Sequence, residues 1–325
     1  MAWRLRLAPE KTNIDFFKHQ WLTFGGSMLL MIAAFVIWAV MGLNFGIDFK
    51  GGTTIRTESA TPVNVGAMRQ VLEKLPLGDI AITEVFDPSF RADQHVAQIR
   101  LAALDQTEAV SPETIAQVET ALKALDPQIR FASVESVGPK VSSELIWSSV
   151  MAVGVTSLAI MAYIWLRFEW QFALGGVLAL LHDVFITIGI FALFQLKFDL
   201  TIIAALLTIL GYSINDTVVV FDRLRENLVK YKTMPLKDVM NLSVNETLSR
   251  TLMTSITTLI AVGSMLVFGG DVIRGFSFAI FMGVLLGTYS SVYVAKNIVL
   301  MIGMDRTEKA EKKKKDSNEF ANIDA

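Results

Sequence analysis

Two carboxylates stand out because of what surrounds them. Asp183 follows His182 inside one long apolar run, and Asp216 follows Asn215 inside another. A third polar island opens a later run, where Arg250 is followed by Thr251, Thr254, Ser255, Thr257 and Thr258. In hydrocarbon a carboxylate or guanidinium is costly unless it is paired or hydrated, so each is a candidate functional group. An arginine beside an acid in a low dielectric changes how readily that acid ionises. Moving the arginine lets the acid take a proton from one side and release it to the other. One charge crossing the membrane is worth about 2.3 kcal/mol per 100 mV. Asp216, Arg250, Asn215, His182 and Asp183 are therefore the candidate proton-coupling set. Plainer readings stay open beside it: a structural Asp216–Arg250 ion pair, an Arg250 that snorkels to the interface, and interhelical hydrogen bonds at His182 and Asp183.

Composition removes most other chemistry. The 325 residues include no Cys and three His, His19, His95 and His182, none at metal-ligand spacing. That excludes thiol chemistry, iron–sulfur clusters and Cys-type zinc sites and leaves metal catalysis without ligands. No G-x-x-x-x-G-K-[ST] occurs, so a nucleotide is not the energy source. No cofactor is expected, and an ion gradient is the driving force that remains, H⁺ or Na⁺, with the Asp–Arg combination leaning toward protons. The formal charge of −2 argues against a nucleic-acid binder.

The elements that must hold these residues are membrane spans. The chain is 53% apolar with a mean hydropathy of +0.49, and the apolar residues are gathered into runs of about 20. This excludes a soluble enzyme, a disordered chain and a disulfide scaffold. Six runs qualify, at 22–43, 144–166, 171–195, 199–221, 250–269 and 275–300. The first reads as a retained signal anchor, since no small-residue cleavage site follows it. Lys and Arg sort to one side. Arg4, Arg6, Lys11 and Lys18 precede span 1, and Arg223, Arg225, Lys230, Lys232 and Lys237 lie between spans 4 and 5. Lys296, Arg306, Lys309 and the run Lys312 to Lys315 follow span 6, while the opposite short loops hold only Lys197 and Arg274. Both termini are thus expected in the cytoplasm, and residues 44–141 outside. Span 6 also carries Gly275, Ala279, Gly283, Gly287 and Ser291 at i+4 spacing, a ladder that lets another helix approach closely.

The outer segment reads as a small α+β fold. Strand patterns at 53–57, 80–86, 95–101 and 129–137 alternate with helical periodicity at 63–75 and 111–125. Ser111-Pro112 starts the second helix, Asp126-Pro127 stops it, and Asp87-Pro88-Ser89 is a turn. The order βαββαβ is the ferredoxin-like plan. Gly51-Gly52 on entry and Gly138-Pro139 on exit allow sharp turns at the membrane, as plain linkers or as a hinge. The expected organisation is a cytoplasmic segment 1–21, helix 1 at 22–43, a periplasmic ferredoxin-like domain at 44–141, helices 2–6 within 142–303, and a basic tail at 304–325.

The chain resembles the SecD/SecF family of bacterial protein-export membrane proteins, within the resistance-nodulation-division superfamily. The resemblance rests on Phe45-Gly46-Ile47-Asp48-Phe49-Lys50-Gly51-Gly52-Thr53, Val137-Gly138-Pro139 and His182-Asp183. It rests also on Gly211 to Arg223, which reads GYSINDTVVVFDR, and on Ser249-Arg250-Thr251. It implies a non-enzymatic subunit of a twelve-span heterodimer with SecD in the bacterial inner membrane. It further implies association with the SecYEG translocon, YajC and YidC, and proton-driven late export of unfolded preprotein at the periplasmic face. The family's coupling acid and arginine fall on Asp216 and Arg250. Two other functions compete. A proton-coupled small-solute transporter or efflux component requires a site near the midplane, often on broken helices. An intramembrane protease requires Asp183 and Asp216 to share a proton.

Overall fold

The structure, a computed structural model, describes residues 12–304 except 86, 88, 89, 92 and 103–109. Arg4, Arg6, Lys11, Arg306, Lys309, Lys312 to Lys315, and Pro88 and Ser89 of the expected turn lie outside the described residues.

The first long apolar run forms α1, Gln20–Met41. A packed junction follows, with β1 (Asn44–Phe45) and α2 (Ile47–Lys50). The α/β module is built from β2 (Gly52–Ser59), α3 (Val65–Leu72), β3 (Ile80–Val85), β4 (His95–Leu101), α4 (Pro112–Leu125) and β5 (Arg130–Val137). The chain returns through α5 (Pro139–Arg167) and α6 (Trp170–Leu193), then β6 (Lys197–Phe198) and α7 (Leu200–Lys230). It continues through α8 (Leu236–Phe268) and α9 (Asp271–Ser290). A π-helical turn, Ser291–Ala295, joins α9 to α10, Lys296–Ile302. Among the described residues, six helices of 22 to 33 residues are long and apolar enough to cross a bilayer, α9 and α10 counting as one.

Spans 4 and 5 are longer than their apolar runs. The charged turns of α7 continue as helix to Lys230, and α8 begins at Leu236 rather than near Arg250. Ion pairs on an exposed face support this extension. Arg223 binds Glu226 and Glu246 at 2.7 Å each, and Arg167 binds Asp222 at 3.1 Å. A second correction concerns Lys296. Read as a basic residue beyond the last span, it lies inside that span and is 1% exposed.

Helix α6 is the axis of the bundle, with buried residues along its whole length. Small residues let neighbours close on it. A Cβ on Gly189 would sit 2.3 Å from Ala34 of α1, and one on Gly175 would sit 2.7 Å from Val299 of α10. The small-residue ladder of α9 meets α7. A Cβ on Gly283 would lie 2.3 Å from Ile209, and one on Gly287 would lie 3.0 Å from Ser213.

In the module the four strands run in the spatial order β3-β4-β2-β5, every neighbouring pair antiparallel. Local signals explain its helices. The Ser111 hydroxyl accepts the Thr114 N–H at 3.2 Å, with Pro112 in the first turn of α4. Asn64 caps α3 through the Ala67 N–H at 3.0 Å. The core is the module's own, with Ile55, Leu72, Ile99, Leu101, Val118 and Leu122 fully buried.

Candidate functional site

The end of the bundle bearing the termini and the end bearing the module define the long axis. Asp183 lies on α6 and is completely buried. Its Oδ1 faces Nδ1 of His182 at 3.0 Å. Its Oδ2 accepts from Ser213 of α7 at 2.8 Å and from Ser290 of α9 at 2.7 Å. With His182 Nδ1–H donating to the carboxylate, Nε2 accepts the Ser27 hydroxyl of α1 at 2.5 Å. Four helices thus converge on one carboxylate, and both its oxygens are satisfied. This is the interhelical hydrogen bonding anticipated for His182 and Asp183.

Asp216 has a different setting. It is 4% exposed on α7 and receives a hydrogen bond from Thr254 of α8, at 3.4 Å. That contact is long. The same hydroxyl lies 2.9 Å from the Thr251 carbonyl, a competing acceptor. Oδ2 of Asp216 is buried without a partner, as are Oγ1 of Thr251 and the hydroxyl of Tyr212 one turn earlier on α7. Close by, Ser255 of α8 and Thr288 of α9 hydrogen-bond to each other at 2.6 Å.

Arg250 stands one turn before Thr254 on α8 and is exposed. Among the described residues it forms no ion pair with Asp216. Asn215 adjoins Asp216 in sequence, but its side chain faces outward and is exposed. The five candidates therefore divide. His182 and Asp183 form one closed network, Asp216 sits beside a different helix, and Arg250 and Asn215 face out of this chain. Ser213 links the two carboxyls along α7, being bonded to Asp183 and three residues before Asp216.

The glycine junctions lie at the module end. Gly51 and Gly52 have φ of +73° and +119°, and a Cβ on Gly52 would meet the Leu101 carbonyl at 2.4 Å, so only glycine fits there. Gly52 already pairs with Val137 in the sheet, which brings the entry and exit junctions side by side. Gly138 caps α5 in an extended conformation, and Pro139 occupies its first turn. The preceding residues are not loose linker. The Asp48 carboxylate accepts the Leu200 N–H at 3.0 Å, Ser142 donates to the Ile47 carbonyl at 3.4 Å, and Phe49 is buried against Phe198.

Sequence reasoning missed Ser27, Ser213 and Ser290, because their partners lie on other helices and hydroxyl spacing carries no signal for that. It also misplaced Lys296 beyond the last span. Its position inside the run Val292 to Leu300 was the available signal.

Among the described hydrogen bonds none joins Asp183 to Asp216, as a proton-sharing protease pair requires. Helices α6 and α7 are unbroken, unlike the interrupted helices of midplane solute sites.

Comparison with known proteins agrees with this geometry. The family model described as protein export membrane protein SecD/SecF, C-terminal, matches residues 117–305, and that of the SecD/SecF GG motif matches residues 36–63. The chain is 69% identical over 325 residues to the protein translocase subunit SecF of Cereibacter sphaeroides, with all of both chains covered. It is 39% identical to the SecF subunit of Rickettsia felis, over 91% of this chain and 94% of that one. Among solved structures it is similar to SecDF, a translocon-associated membrane protein from Thermus thermophilus. The TM-score is 0.80 at 36% identity over 91% of this chain. It spans 39% of the length of that longer chain.

Proposed function

The chain belongs to the SecD/SecF family of protein-export membrane proteins, and we propose that it acts as the SecF half of a Sec translocation complex, coupling a proton gradient to late preprotein export. The observation that carries the coupling is Asp216, a buried carboxyl with one long hydrogen bond and one oxygen without a partner. Asn has the same shape, and what Asp adds is the capacity to bind and release a proton. Arg250, one turn from Thr254 on the neighbouring helix, is the cation whose approach to Asp216 or withdrawal from it would alter that equilibrium. His182 and Asp183 hold α1, α6, α7 and α9 in register around this site, and Asn215 borders it on the outward face.

The bundle end bearing the termini is read as cytoplasmic, from the Lys and Arg bias, and the module as periplasmic, in a bacterial inner membrane. Its βαββαβ order and strand order support a ferredoxin-like plan. Gly51, Gly52, Gly138 and Pro139 would be the pivot on which the module turns while the Asp48–Leu200 anchor stays fixed. SecD is the partner that completes the bundle. SecYEG, YajC and YidC are the further associates, and unfolded preprotein is the cargo.

The test is Asp216→Asn in the complex with SecD, assayed for gradient-driven export of a precursor already engaged in the translocon. The variant should pair with SecD in normal amounts and lose the gradient-dependent component. Export at the wild-type rate removes Asp216 from the mechanism.

A further inference from the structure

One helical turn from Asp216 towards the end bearing the termini, the bundle changes character. Val220 of α7, Val244 and Leu248 of α8, and Val292 of the π-helical turn are buried together, with Leu252 and Tyr293 at their edge. Val220 lies four residues beyond Asp216, about 6 Å along the axis. The fifth buried member is Phe16, 6% exposed, which belongs to none of these helices. It comes from the short segment before α1 and completes a buried apolar layer between Asp216 and that end.

Phe16 is hung there by side chains. Its N–H donates to Asn241 Oδ1 at 2.9 Å, and its carbonyl accepts from Lys296 Nζ at 3.3 Å. Asn245 grips Ile14, two residues earlier, twice, accepting the Ile14 N–H and donating to the Ile14 carbonyl, both at 2.8 Å. No helix or sheet ladder fixes the segment, so its seating rests on these side-chain bonds and on the burial of Phe16 and Phe17.

Lys296 is the unusual part. The ammonium is buried, and among the described residues it has no carboxylate within 4.0 Å. It lies 4.0 Å from the Phe17 ring centroid, 5.1 Å from Phe16 and 5.3 Å from Tyr293. The charged groups facing this cage are few. Asp15 accepts the Phe17 N–H at 2.9 Å, and Lys237 of α8 lies 5.6 Å from the Phe17 ring. A cation over aromatic faces is stabilised, but a packed apolar residue would fill the space without the desolvation penalty. The charge has a use if it must hold aromatic rings reversibly. The π-helical turn just before it is a feature frequent at functional sites.

We propose that Phe16 is the cytoplasmic gate on the route to Asp216, and that Lys296 is the positioning residue that holds it shut. An apolar constriction stops water and protons by staying dry. With Phe16 seated, Asp216 exchanges protons only with the opposite side, and withdrawal of Phe16 opens the inner side. This rests on the reading of Asp216 as the proton-binding group.

The experiment uses the complex of this chain with SecD in proteoliposomes holding a pH-sensitive dye, with an imposed pH difference and no precursor. Phe16→Ala should raise proton flux at least about tenfold, and Phe16→Leu should stay near wild type. Lys296→Met should raise the flux, while Lys296→Arg should restore the seal. Adding Asp216→Asn to Phe16→Ala should return the flux to the wild-type baseline. A flux unchanged by Phe16→Ala overturns the gate, and so does a rise that survives Asp216→Asn, which would be a leak elsewhere. Precursor export by Asp216→Asn alone tests the parent reading separately. If Phe16→Ala does not assemble, Phe16→Cys decides, because the chain has no other Cys. Labelling by a charged, membrane-impermeant thiol reagent, read by mass on this chain, should quicken when the gradient is applied. Labelling indifferent to the gradient rejects the gate.

Discussion

Two aspartates share one bundle and differ in what answers their oxygens. Asp183 has His182, Ser213 and Ser290 on its two oxygens, whereas Asp216 has one long bond from Thr254. A carboxylate so fully bonded is a structural clamp, because removing it orphans a histidine and two hydroxyls that are all buried. Asp183→Ala should therefore destabilise the bundle by about 3 kcal/mol or more, read as loss of folded protein in detergent on heating. Asp183→Asn, which keeps most of the geometry, should lose less. If Asp183→Ala melts like wild type while gradient-driven export fails, Asp183 belongs to the proton route and not to the frame. Local spacing could not separate these roles. The residues that decide them lie 30, 107 and 155 positions away for Ser213, Ser290 and Ser27. For the same reason an apparent Asp216–Arg250 pairing, plausible from composition, resolves into a buried acid and an exposed base.

At the scale of elements, legibility follows how local the determinants are. The module's strands and helices were readable because alternation, Ser111-Pro112 and Asp126-Pro127 act within a few residues. The ends of α7 and α8 were not, because helix that leaves the bilayer carries charge and looks like loop until Arg223, Glu226 and Glu246 are seen to pair. The close of α4 shows how such local features hold the module. The Asp126 carboxylate accepts from the hydroxyls of Ser59 and Thr61 at the end of β2, and from the Gln128 N–H at 2.9 Å. The Ser59 hydroxyl first, then Thr61 and the Gln128 N–H, hold this carboxyl below its usual 3.8. A depressed value in the folded state means the bonds stabilise fully above 3.8 and are lost as pH falls through the lower folded value. Residues 51–138, with a core of their own, should fold alone and melt cooperatively by circular dichroism. In that segment Asp126→Asn should lower the midpoint by a few degrees at neutral pH. The two proteins should converge once the medium is acid enough to protonate Asp126. A difference that persists in strong acid would place the effect in packing instead of charge.

At the scale of the whole molecule, the exposed faces of the bundle are of two kinds. On α1 and α5 they are apolar, with Leu22, Leu29 and Ile32 on one helix and Trp147, Val150 and Leu158 on the other, as lipid requires. On the apolar stretch of α7 they are small or polar, with Thr208, Gly211 and Asn215, and on α8 Arg250, Thr257 and Ser264 are exposed among the apolar Met253, Ile260 and Val267. Thr208, Thr257 and Ser264 turn their hydroxyls back onto their own helices, at 2.8, 2.9 and 2.7 Å. Hydrocarbon offers nothing to the amide of Asn215 or the guanidinium of Arg250. A second protein covering this face would answer both groups, and Asp216 lies just behind it. A Cβ on Gly211 would meet nothing within 4 Å in this chain, so a large side chain there is harmless to the lone fold. Gly211→Trp should therefore leave this chain folded and inserted while abolishing its co-purification with SecD. Leu158→Trp, on the apolar face of α5, should leave pairing intact. Pairing that survives Gly211→Trp would put SecD against another face and leave Asn215 and Arg250 without the protein cover that their polarity calls for.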